Sequence, residues 1–266
     1  MKFISFGSGS SGNCYYLFTD NEGLIIDAGL GLRMLKKYCR EYGVSLAAAR
    51  HILITHDHAD HVKSVGSLSY ELNLPVYSTA EVHEGIVNNF CVNKKINRDL
   101  VRHIEKGATI ELGDFTVTSF AVPHDSRDCV GYFIEADGSN FCLITDVGEI
   151  TDNIRPFISR ARYLVIEANH DEEMVTNGPY PEYLKRRILS GIGHLSNKSC
   201  AEALAANATA NLKHVWLCHL SEQNNHPELA RKTVESILRS YGIVPGADFQ
   251  LDVLKRKTPS EVITLE

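Results

Sequence analysis

Residues 56–61 read H-D-H-A-D-H and follow directly on the apolar run HILIT at 51–55. His56 and His58 stand two apart. On a helix their rings would diverge, but in an extended segment residues i and i+2 share a face, so both can grip one cation. Asp60 and His61 follow where a helix begins, and a carboxylate is favoured there by the partial positive charge of the helix N-terminus. The turn aims this second pair at a second point, so one loop offers two ligands to each of two ions. Imidazole and carboxylate suit zinc, manganese or ferrous iron. His124 can complete one group and His219 the other. Asp146, with two oxygens, can bridge them, as carboxylates do where paired ions lie about 3.5–4 Å apart. The expected cofactors are two divalent metal ions, zinc or manganese. His51, His83, His103, His214 and His226 stand without ligand-type neighbours and receive no role. His170, in EANHD, lies near the candidate residues with its role open.

The elements that must position these residues are legible in how the apolar runs finish. LIID ends on Asp27, HILIT leads to His56, FTVTSFAVP to His124 and FCLIT to Asp146, while YLVIE ends on Glu167 and HVWLC leads to His219. Strand ends are rigid mounts from which loops present chemistry, so six such endings place one site along one edge of a layered sheet structure. KFISF and CYYLFT are further strands, separated by the turn-rich GSGSSGN. Helices are expected at 31–42, 61–72, 79–88, 151–160, 180–190, 197–208 and 227–241, the last introduced by Pro227. No internal repeat or long Pro/Gly linker divides the sequence, which reads as a single domain over 1–266.

The chain has 44% hydrophobic and 23% charged residues, an ordinary globular composition. No apolar run approaches the ~18 residues needed to span a membrane, and MKFISFGSGSSGN has no signal-type apolar core, so a cytoplasmic protein is expected. Seven scattered cysteines without a C-x-x-C pair argue against a disulfide framework and read as small buried hydrophobes. A formal net charge of −6 argues weakly against a nucleic-acid partner, but two divalent cations would offset most of it and make the local field positive. The basic clusters Lys94-Lys95 with Arg98, Lys185-Arg186-Arg187 and Lys255-Arg256-Lys257 read as solvated faces. No protein partner is evident.

The series Asp27, Thr55 to His61, His124, Asp146 and His219 resembles, in order, the ligand pattern of the metallo-β-lactamase-fold superfamily. The resemblance implies an α+β, four-layer αββα sandwich with two metals at one edge. Asp27 would then hold the histidine loop by hydrogen bonds rather than bind metal. LVIEANHD (164–171), GHLSNKSCAEALA (193–205) and LCHLSEQ (217–223) resemble segments of the ribonuclease Z-type phosphodiesterases. In that group an extra histidine beside the metals serves in acid catalysis, and His194 matches it. Leu195-Ser196 replaces the usual Ser-Thr, and Gln223 stands where the arginine after the final His-x-Ser is expected, so the resemblance does not carry a phosphate anchor over to that position. Only 21 residues separate His124 from Asp146 and only 72 separate Asp146 from His219, which leaves no room for a tRNA-binding arm or a β-CASP insertion. With FGSGSSGNCYYL and CHLSEQNN, the chain is most similar to the compact YycJ (WalJ) branch, which is regarded as exonuclease-like and acting on DNA.

The implied function is metal-dependent hydrolysis of a phosphodiester in nucleic acid, with DNA as the expected substrate. Asp60 would orient the attacking water, His194 would protonate the leaving oxygen, and Glu167 would hold His194 in the right tautomer. Ser11 and Asn13 are candidates to reach substrate. Two alternatives share the ligands: a glyoxalase II-type thioesterase or lactonase, which has no need of His194, and a non-catalytic metal-binding regulator.

Overall fold

The computed structural model describes residues 1–266. Its strands form two seven-stranded sheets. The first contains β1 (Lys2–Gly7), β2 (Cys14–Phe18), β3 (Gly23–Ile26), β4 (Ala49–Leu53), β5 (Val76–Ser78) and β6 (Val101–His103). The second contains β7 (Thr109–Leu112), β8 (Phe115–Ala121), β9 (Val130–Ala136), β10 (Ser139–Ile144), β11 (Tyr163–Glu167), β12 (His214–Cys218) and β13 (Gln250–Val253). The last strand, β14 (Ile263–Thr264), returns to pair with β1. The orders are 14-1-2-3-4-5-6 and 13-12-11-10-9-8-7.

Each sheet runs antiparallel up to one strand and parallel beyond it. β3 pairs in parallel with β4, then β5 and β6 follow; β10 pairs in parallel with β11, then β12 and β13 follow. This repetition of topology has no counterpart in the sequence.

Alternation along the strands builds the layers. Phe3, Tyr15, Leu17, Leu24 and Ile26 of the first sheet face Phe141, Leu143, Val165 and Trp216 of the second in a shared apolar layer. The alternate residues point outwards. Ile4, Tyr16, Ile25 and Ile52 meet helices α1 (Leu32–Glu41), α2 (Ala59–Val62), α3 (Val65–Leu72) and α4 (Ala80–Asn88). Cys142, Ile144, Leu164, Ile166 and Val215 meet α5 (Arg155–Arg160), and two further helices complete that face: α8 (Asn197–Asn207) and α9 (Pro227–Ser240). The result is the four-layer αββα sandwich.

Two helix expectations need correction. The helix expected at 61–72 is split into α2 and α3, because Ser64 N–H turns to the carbonyl of Ala28 in the loop after β3. The short α6 (Glu172–Asn177), capped by Asp171, precedes α7 (Glu182–Ile188) where only the latter was expected. All seven cysteines are free and six are buried. No helix is long and apolar enough to cross a membrane.

Candidate metal centre

All six residues singled out at strand ends meet at one edge of the two sheets. Asp27, Asp146 and His219 follow the apolar strands in left-handed backbone conformation, with φ of 62°, 51° and 52°. This conformation is uncommon outside glycine, though Asp and His adopt it more readily than most residues. It turns the chain sharply and leaves the side chain at the sheet edge.

Asp27 is fully buried. Its carboxylate accepts from Thr55 N–H at 2.9 Å, from the Thr55 hydroxyl at 3.0 Å and from His61 Nδ1 at 2.7 Å. The Thr55 hydroxyl lies 3.0 Å from His56 Nδ1. Asp27 therefore holds two rings of the histidine loop, one directly and one through Thr55. Elsewhere, His124 Nδ1 lies 3.0 Å from the Gly193 carbonyl and His219 Nδ1 lies 3.0 Å from Glu167 Oε1. In all four rings Nδ1 has an acceptor, which leaves Nε2 as the atom directed at the shared centre, able to meet a proton or a cation there.

The nitrogen and oxygen atoms form four overlapping groups, two of which contain Asp146; one of these is Asp146, Glu167, His194 and His219 and the other is His56, His61 and Asp146. His56, His58 and His124 bring their ligand atoms together, and so do Asp60, His61 and His219. His58 Nδ1 and His124 Nε2 are 3.2 Å apart, and His219 Nε2 is 3.3 Å from Asp60 Oδ2. Asp146 reaches both groups, with Oδ2 3.2 Å from His61 Nε2 and Oδ1 3.7 Å from His124 Nε2.

The donor set fits divalent cations. His56 Nε2 is buried and makes no hydrogen bond, a costly state for a polar atom unless something accepts its lone pair. Charge gives the same answer. Asp27, Asp146 and Glu167 are buried carboxylates, and Asp60 lies beside them half-buried. Burial by itself would lower the His61 imidazole, but Asp146, Asp27 and Asp60 outweigh it and hold it at about 10. Burial likewise opposes a charged His219, and Asp146 leads the groups that push it well above the usual range. His56, buried and facing the His61 ring, is driven well below it. The cluster thus demands positive charge at its centre, from protons or from metal ions.

His194 lies beside this cluster, its ring centroid 5.1 Å from that of His124 and 5.4 Å from that of His219. Its Nδ1 is 2.8 Å from Glu167 Oε1. Burial works to lower its pKa, but the Glu167 carboxylate prevails and the net shift is upward. Glu167 resists its own burial through the His194 charge and is held down at about 2. Its other oxygen accepts from the backbone N–H groups of Val147 at 2.8 Å and Leu195 at 3.2 Å.

The opening loop comes to the same place by a different route from the one expected. Ser11 is exposed, and its carbonyl accepts from Lys63 Nζ at 2.5 Å. Asn13 is fully buried; its Oδ1 accepts from Gly9 N–H, and its Nδ2 lies 3.3 Å from Asp60 Oδ2 and 2.8 Å from His61 Nε2. It faces the ligand loop, not solvent. His170 is buried beneath the site and pairs through its backbone with Ser196.

Several neighbours escaped the sequence. Glu167 was expected to serve His194 and also holds His219. A cavity of about 140 Å³ opens beside His194, lined by Ser10, Ser221, Tyr180 and Arg187 among others. Arg187 belongs to a basic cluster expected to be a solvated face; its side chain is exposed, and its guanidinium in addition pairs with Asp125, the residue after His124.

A family model described as the beta-lactamase superfamily domain matches residues 23–220. The chain is 35% identical over 265 residues to the exodeoxyribonuclease YycJ of Bacillus anthracis, covering 98% of each chain. It is 36% identical over 251 residues to the exodeoxyribonuclease WalJ of Streptococcus pneumoniae, covering 94% of this chain and 93% of that one. Among solved structures, Zn(2+)-bound PqqB from Methylobacterium extorquens superimposes with a TM-score of 0.73 at 16% identity, over 98% of this chain and 99% of the other; at that identity the likeness concerns the fold. With a ligand cluster at the sheet edge and near full-length relatives, the chain belongs to the beta-lactamase superfamily of metal-dependent hydrolases, in the branch of the YycJ and WalJ proteins.

Proposed function

We propose that the protein is a nuclease that hydrolyses phosphodiesters in DNA, working as one domain over residues 1–266. The observation that carries this reading is His194, held by Glu167 at the rim of the ligand cluster. A leaving alkoxide needs a proton, whereas a thiolate departs without one, so this residue has a task in phosphodiester cleavage and none in thioester cleavage. The relatives named exodeoxyribonucleases support DNA as the substrate.

In this reading His56, His58 and His124 would hold one divalent ion, Asp60, His61 and His219 would hold a second, and Asp146 would be available to both. The ions are zinc or manganese. When bound, such a pair supplies Lewis-acid charge and lowers the pKa of water held at it. Asp60, the most exposed carboxylate of the cluster, orients the attacking water. His194 keeps its Nδ1 proton directed at Glu167, so its Nε2 is the atom that delivers a proton to the leaving oxygen. Asp27 fixes the ligand loop from behind, Asn13 braces it from the opening loop, and Ser11 stands at the surface where substrate arrives. Seven free cysteines accord with a reducing, cytoplasmic setting.

Basic side chains surround the approach. Lys63 leans on the opening loop, the Arg256 guanidinium binds the Ser221 carbonyl at 3.0 Å, and Tyr38 Oη on α1 bonds the Lys257 carbonyl at 2.9 Å. This brings Lys257 to α1; Lys257, Lys36 and Lys37 pair with Glu222, Glu71 and Glu41, which leaves Lys255, Arg256, Arg33 and Arg40 as the cations suited to a phosphate backbone.

The deciding assay offers metal-loaded protein end-labelled DNA, end-labelled RNA, bis(p-nitrophenyl) phosphate and S-lactoylglutathione. Metal-dependent cleavage of DNA is expected. Turnover of the thioester with inert DNA would overturn the reading in favour of the thioesterase.

A further inference from the structure

We propose that the cavity beside His194 is a subsite for a second phosphate group of the substrate, with Arg187 as its anchor. The inference rests on the phosphodiesterase reading and adds a specificity-determining residue to it. At about 140 Å³ the cavity has room for four or five waters at ~30 Å³ each. That is room enough for a tetrahedral oxyanion. No carboxylate lines it. Its polar walls come from Ser10, Asn169, Tyr180, Arg187, His194 and Ser221. Ser221 Oγ already accepts from Asn224 N–H at 3.1 Å, so its own proton is free to donate. Asn169 Nδ2 is committed to the His219 carbonyl, which ties this wall to a metal-ligand candidate.

Arg187 is held rather than loose. Its Nε and Nη2 pair with the two oxygens of Asp125, and Asp125 Oδ1 lies 3.5 Å from His124 Nε2. The guanidinium is thereby fixed relative to the metal centre, with Nη1 uncommitted. With its fork taken by Asp125, the guanidinium has Nη1 left for a single charge-assisted bond to a phosphate oxygen. The position after the final His-x-Ser carries Gln223 and no cation. Arg187, from α7, is the one arginine or lysine lining the cavity, and its charge is shared with Asp125. A strand with its scissile phosphate at the metal centre and its leaving oxygen at His194 would lay the phosphate next along the chain into this cavity. That group is either an internal diester or a terminal monoester, and both present the same oxygens.

The test compares three substrates on wild type and Arg187→Ala: a dinucleoside monophosphate, a trinucleoside diphosphate, and a dinucleotide carrying a terminal phosphate. Wild type is expected to favour a second phosphate by ~10–100-fold in kcat/KM, the scale of hydrogen bonds to a charged group, mostly through KM. In Arg187→Ala that preference should collapse towards unity, and Arg187→Lys should restore part of it. The substrate carrying the larger preference tells the internal diester from the terminal monoester. If Arg187 merely braced Asp125, the variant would slow all three substrates by one common factor, and that result would overturn the proposal. Failure of metal-loaded wild type to cleave any of the three would instead sink the phosphodiesterase reading. The subsite is still tested in that case by titrating thymidine 5′-monophosphate and thymidine 3′,5′-bisphosphate. Tighter binding of the bisphosphate, lost in Arg187→Ala, supports it, and equal binding overturns it.

Discussion

At Glu167 one oxygen serves the Nδ1 atoms of both His194 and His219, while the other takes two backbone N–H groups. In the proposed reading a carboxylate so used would link metal holding to proton delivery. Glu167→Gln is therefore expected to weaken metal affinity by ~10–100-fold, the scale seen for partners that orient ligands, and to lower turnover further in metal-saturated protein. His194→Ala should leave metal affinity nearly intact, and Asp146→Asn should lose the most, since Asp146 neutralises both ligand groups. Metal titration of the three variants checks the order; equal losses in His194→Ala and Asp146→Asn would make His194 a ligand. His194→Ala should also cut DNA turnover by ~10²–10⁴-fold, the usual contribution of a general acid. The defect should shrink on bis(p-nitrophenyl) phosphate, whose p-nitrophenolate leaves unprotonated. Equal wild-type-to-variant ratios on both substrates would remove the acid role.

Among the elements, the strand ends do the positioning. β3, β10 and β12 each finish with a left-handed residue, Asp27, Asp146 and His219, and a left-handed non-glycine residue costs about 1–2 kcal/mol. The network around each carboxylate or ring holds that conformation in place. The loop after β3 also carries Gly29, where an added Cβ would collide with the Asp60 carbonyl and the Asn13 amide nitrogen. Both atoms belong to backbone, so a side chain there must displace the ligand loop. Gly29→Ala is expected to keep the fold by circular dichroism and to lower the metal content below that of wild type. Elemental analysis reads this directly, and unchanged stoichiometry would show that the loop yields without disturbing its ligands.

For the whole molecule, the buried carboxylates couple stability to metal and pH. In metal-free protein His61, held at about 10 against an ordinary 6.5, takes up part of the charge. A group whose pKa is raised on folding stabilises fully below its unfolded value and loses that contribution as pH rises through the folded one. Chelated protein should therefore lose melting temperature between about pH 6.5 and 10. Metal-loaded protein should lack this decline, because the ions replace those protons, and loading at neutral pH should release protons to buffer. Melting curves across that range, with and without chelator, check the claim; parallel profiles would contradict it. The basic face predicts in addition that DNA binding weakens steeply with salt, with a log–log slope reduced by about 1 for each phosphate-contacting lysine or arginine removed.

The ligand series was legible because its spacing is local and chemical. As candidates, H-x-H-x-D-H places four side chains within one short loop, and Asp27, His124, Asp146, Glu167 and His219 each end or follow an apolar run that reads as a strand. The four layers were implied by the resemblance of this pattern and not by alternation, since strands such as β3 and β11 are buried on both faces. What the tertiary structure decided are contacts between residues far apart in sequence that carry no periodic signal. The shared grip of Glu167 on His219 spans 52 positions and the Arg187–Asp125 pair spans 62. Asn13 turned inwards because its amide is taken up by Gly9 and by the ligand loop 47 residues on. The repeated topology of the two sheets stayed hidden for a related reason. Strand order and direction depend on which edges meet, whereas the sequence records only that each strand must bury one face or both.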